Sequence, residues 1–219
     1  MARTGPITKD SSTVALGLAQ IRIGTCETYI GQIRPILGLA ASIGALADTK
    51  FMSTVEVFKL ESGFPMLEDA VFPLREGCSL ECGFKEITPY NLALARGLDP
   101  TAGGYADEHL GNIGLGSIAA PLSVRMEAIY TYPDGVNTMT IVFPRCQVVA
   151  SLELDFASEE PAAVSITLES KRADGATSWI NEAGGTTNGH TIWDAQPLGR
   201  VLWDDGTGST STSTTTTTS

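Results

Sequence analysis

From Leu122 to Phe143 apolar and polar residues alternate with period two, a pattern that admits a half-buried strand and no helix. The even positions read Leu122, Val124, Met126, Ala128, Tyr130 and Tyr132. The odd positions read Ser123, Arg125, Glu127, Ile129 and Thr131. Pro133-Asp134-Gly135 then marks a turn: proline presets φ for the bend, and glycine accepts the positive φ of a tight hairpin. Met139, Ile141 and Phe143 resume the alternation against Thr138, Thr140 and Val142. These residues predict an antiparallel hairpin over Leu122–Phe143, with its charged odd positions facing water.

Further runs alternate in the same way. Cys146, Val148, Ala150, Leu152, Leu154 and Phe156 share one face of a strand. Pro144, between this run and the hairpin, has no N–H for the ladder and demands a break, a bulge or a sheet edge. Val164, Ile166 and Leu168 form another strand ending at the turn signal Ala173-Asp174-Gly175, and 178–180 and 191–202 predict shorter strands. Upstream, 13–23, 50–60 and 78–87 also read as strands. One short helix is expected: Thr88 caps it, Pro89 takes its first position, Tyr90, Leu94 and Leu98 share a face, and Gly97 follows its end. The expected fold is mainly β: an antiparallel β-sandwich or partly closed barrel with one short α-helix and long loops.

The 219 residues divide into one domain, 1–206, and a Thr/Ser-rich tail, 207–219, that has no large apolar side chain to bury. Met1–Asp10 carries no apolar run of the kind an export signal needs, so four reduced cysteines are expected. Two Gly-rich segments, 34–48 and 98–121, read as long loops, which are either mobile or reach another subunit. Leu37, Leu39, Ile43 and Leu46 are too apolar to leave in water, which makes 34–48 the candidate inter-subunit arm.

Fourteen basic against 25 acidic residues give a net charge of -11, which excludes a basic groove for nucleic acid and electrostatic docking on an anionic membrane. No catalytic pattern survives its own requirements. Gly114-Leu115-Gly116-Ser117-Ile118-Ala119 fits a loose dinucleotide motif, but Pro121 and a strand follow where a helix is needed. Cys78 and Cys82 lack further ligands at zinc spacing and read as buried thiols. His109 and His190 lie in Gly-rich segments with no nucleophile elbow nearby. The acidic pairs Glu68-Asp69, Glu159-Glu160 and Asp204-Asp205 belong to no calcium-loop pattern. No enzyme activity, cofactor or metal is expected.

The segment 77–100 (GCSLECGFKEITPYNLALARGLDP) resembles the major tail tube protein of long-tailed bacteriophages, and a looser resemblance runs over 56–155. The resemblance implies a β-sandwich protomer that closes into six-membered rings, stacked into a hollow tube. Such a tube resides in the virion tail, is assembled in the host cytoplasm on a tape-measure protein, and is closed by a terminator. It conducts the genome without binding it specifically. An acidic wall suits that passage, because it repels phosphate over about a Debye length. Glu153 and Asp155 are the candidate lumen-facing residues. The solvent faces of the clearest strands hold five acids (Glu81, Glu127, Glu153, Asp155, Glu169) against four bases (Lys85, Arg125, Arg145, Lys171), so the excess charge belongs mostly to loops. Two other classes stay open. One is a head-decoration or head–tail connector protein. The other is a carbohydrate-binding module using Trp179, Trp193 and Trp203, which otherwise read as core or interface anchors.

Overall fold

The computed structural model describes residues 17, 19–62, 67–99, 110–114, 121–149, 162–181 and 185–205. Nine strands occur among them: β1 (Gln20–Thr25), β2 (Leu46–Ser62), β3 (Leu67–Phe84), β4 (Val124–Thr131), β5 (Thr138–Val148), β6 (Val164–Ser170), β7 (Ser178–Ile180), β8 (Thr186–Asn188) and β9 (Arg200–Asp204). All pair antiparallel. The main sheet runs β1-β4-β5-β6-β3-β2, with β9 added beside β5, and β7 and β8 form a separate small hairpin. The fold is therefore mainly antiparallel β and sandwich-like. Its terminal strands β1 and β2 do not meet, so the sheet does not close into a barrel.

The alternating stretch becomes the β4–β5 hairpin at the middle of this sheet. Asp134 closes its turn by accepting the Val136 and Asn137 backbone N–H groups at 2.9 and 3.0 Å. Those two bonds hold the Asp134 carboxyl below its ordinary range, and Gly135 supplies the positive φ of 72°. Pro144 sits inside β5 at a register shift against β4, the bulge that its missing N–H requires. Beyond the bulge β5 also changes partner on its other side: 138–142 pair with β9, and 146–148 pair with β6. The distal half of the Cys146–Phe156 run lies outside the described residues.

Two helices are present where one is expected. α1 (Cys26–Tyr29) is a single turn after β1. α2 (Pro89–Ala95) is the helix read from the sequence, and its caps form as expected. Thr88 Oγ1 accepts the Asn91 N–H at 3.2 Å. At the other end Gly97 has φ 70°. There the Leu98 and Gly97 N–H groups bond the Ala93 and Leu94 carbonyls at 2.9 and 2.8 Å, closing a Schellman motif. The 191–202 segment is not one strand: Thr191–Trp193 is a 3-10 turn, and only β9 pairs.

The main core lies on one face of the curled sheet. Ile21, Ile23, Met126, Phe143, Leu168, Leu80 and Phe84 meet there, covered by Leu94 of α2. A second, smaller core on the opposite face gathers Cys26, Ile30, Val142, Ala173, Trp179 and Trp193.

Candidate functional site

Arg125 and Glu127, expected on a solvent face, are fully buried. Their side chains pair at 2.8 Å. Arg125 also donates to the carbonyls of Tyr29, Gln32 and Arg34, at 3.0, 2.7 and 2.9 Å. Glu127 accepts the N–H groups of Ile36 (3.0 Å) and Leu37 (2.9 Å). The polar face of β4 thus folds residues 29–37 down onto the sheet. With both carboxylate oxygens and four of the five guanidinium N–H groups engaged, the buried pair has the hydrogen bonds that offset its desolvation.

That network ties part of the candidate arm to its own protomer. Leu37 is 4% exposed and Ile43 fully buried, and Leu46 packs against the main core as β2 begins. Of the four candidate residues only Leu39 stands exposed. The Ile43 N–H bonds the Ile21 carbonyl at 3.1 Å, and Arg22 bridges to Ser42. Leu37, Ile43 and Leu46 therefore pack within their own protomer, and 42–43 strap the outer edge of β1. Glu153 and Asp155 lie outside the described residues.

Among the described residues, the β2–β3 hairpin is the apolar surface left most exposed. β6 pairs with β3 only over 79–84. Above that point, among the described residues, 53–62 and 67–78 pair with each other alone, as a two-stranded ribbon. The sequence favours strand here, through Val55, Val57, Phe58, Val71 and Phe72. Yet these side chains stay largely in solvent. Val55 is 58% exposed, Phe58 and Phe72 51% each, and Leu74 64%, with Val57, Leu60 and Val71 also exposed. Paired residues share a face. One face carries Val55, Val57 and Val71 and continues the core face of the sheet. The other carries Phe58 directly opposite Phe72, with Leu60 beside Ala70. An isolated ribbon with two apolar faces is marginal in water, and an exposed apolar surface of this extent marks an interaction site.

Sequence reasoning placed 50–60 on a strand but missed the first half of β3. The cause is Pro73 within AVFPL, which argues against a strand flanked on both sides. A ribbon edge tolerates it. The available signal was the apolar pair of runs VEVFKL and AVFPL on either side of ESGFPMLED, whose Ser62-Gly63 marks a turn.

No chemistry-bearing cluster competes with this surface. No group of three or more His, Cys, Asp or Glu side chains that could hold a metal occurs among the described residues. His190 is exposed, and its Nδ1 accepts the Ile192 N–H at 3.2 Å as a turn cap; His109 lies outside the described residues. All four cysteines are free. Burial pushes the Cys26 and Cys82 thiols up to about 12, which leaves them inert at neutral pH. Trp193 is fully buried and Trp179 nearly so, with the Arg145 guanidinium 4.4 Å over its ring. Only Trp203 is exposed, so the three tryptophans form no common platform. No family model matches the chain, and no curated protein matches it.

Proposed function

We propose that this chain is a structural virion protein that works by self-association, as a subunit of a phage tail tube built from stacked six-membered rings. The observation that carries this reading is the β2–β3 ribbon, which projects beyond the sheet with apolar side chains on both faces. A chain cannot leave this surface in water at working concentration without cost; about 25 cal/mol is gained per Å² of apolar surface covered. Copies of the same chain are the partner that a ring supplies at fixed geometry. Net charge of -11 per copy opposes assembly at low salt and suits a conduit for DNA once contacts are made. Glu153 and Asp155 remain the proposed wall residues. The burial of Trp179 and Trp193 weighs against the carbohydrate-binding reading.

The test is negative-stain electron microscopy of the purified chain from dilute to concentrated samples, at low and high salt. Rings or tubes of uniform diameter, favoured by salt, are the expected result. A monodisperse monomer at every concentration would overturn it and favour the head-decoration or connector reading.

A further inference from the structure

The ribbon's edge and its faces have opposite designs. The edge is broken: Pro73 offers no N–H, and the register slips between Glu56 and Val57, which leaves Leu74 without a partner across the ribbon. A second slip falls between Leu60 and Glu61. Proline and bulges of this kind twist an edge away from further strand addition. The faces are built differently: Val55, Val57 and Val71 share one with Glu76 and Lys59, and Phe58, Leu60 and Phe72 share the other with Glu56 and Arg75, so each carries an exposed apolar cluster beside its charges. This contrast rules against simple edge-to-edge pairing along the tip and in favour of contact through the faces.

We infer that each ribbon is clamped between two further copies of this chain, one against each face. The inference rests on the self-assembly reading above and specifies its geometry. The free part of β3, Leu67–Cys78, spans about 40 Å at roughly 3.3 Å per residue, and two strands are about 10 Å wide. Each face therefore offers on the order of 400 Å², and the two together about 800 Å², the share one partner contributes to an interface of standard size. One face alone falls at half that share, too little for a stable dimer. A single neighbour would need a cleft to engulf both faces. The cavity beside α2, lined by Ile87, Pro89, Leu92 and Ile113, holds about 410 Å³, too little to take the ribbon. The groove at the ribbon base is lined by Arg75, Glu76, Lys171 and Arg172, not by apolar side chains. Two weak contacts in a closed array reinforce each other through effective concentration, so assembly should switch on over a narrow concentration range.

The test compares the full-length chain with V55T/V57T/V71T and with F58T/L60T/F72T, each variant altering one face. Threonine keeps the strand preference while removing apolar area. Sedimentation velocity reads the concentration at which assemblies appear, and circular dichroism verifies the fold. Both variants should raise that threshold about tenfold or more, the signature of two separate contacts. If one triple variant assembled like the wild type, the clamp would be overturned while the self-assembly reading survived. A wild-type chain that never assembled would overturn both. Should a triple variant unfold, the single substitutions Val57→Thr and Phe58→Thr, one on each face, decide the same question.

Discussion

Arg125 and Glu127 have left water completely, and their backbone partners lie ninety or more positions earlier in the chain. Removing one of them strands the other and orphans backbone groups of 29–37. Arg125→Ala is therefore expected to cost about 3–5 kcal/mol, measured by denaturant unfolding. The paired replacement Arg125→Met with Glu127→Leu should not restore stability, because the Ile36 and Leu37 N–H groups and three carbonyls would still lack partners. Full recovery in the double variant would show that the pair is a packing element only. These two residues also mark where the sequence stops being legible. Alternation correctly assigned them to the face opposite Met126, but period two says nothing about what covers a face. The cover comes from a segment whose own apolar residues, Leu37 and Ile43, looked unemployed until that contact was known.

At the scale of elements, legibility follows locality. α2 could be read residue by residue, because its cap, its first-turn proline and its terminal glycine act over three or four positions. Thr88→Ala should lower stability by about 1 kcal/mol. Gly97→Ala should cost about 1–2 kcal/mol, since a Cβ at φ 70° is disfavoured and would also stand 3.1 Å from the Pro121 Cβ. Thermal unfolding checks both, and a neutral Gly97→Ala would contradict the Schellman cap. The hairpin turn at Asp134 was legible for the same local reason. The ribbon was legible in part only. Its apolar residues change phase between Val57 and Phe58, so neither face shows a clean alternation, and Pro73 hid the first half of β3. A ribbon with apolar side chains on both faces gives a weak period-two pattern.

For the whole molecule, the sheet gathers its apolar residues into two cores and still leaves a long apolar hairpin outside them. One edge, β1, is strapped by Ile43 and Ser42. The other, β2, runs on into the ribbon. A protomer with one edge closed and the other extended is asymmetric in the way head-to-tail ring contacts require. Amide hydrogen exchange of residues 53–62 and 67–78, in dilute and in assembled samples of the same chain, tests this most directly. Fast exchange in the dilute protein and strong protection confined to assemblies is the expected result. Ribbon amides that exchange equally fast in both, or that are already protected in the monomer, would contradict the assignment of this hairpin as the assembly surface.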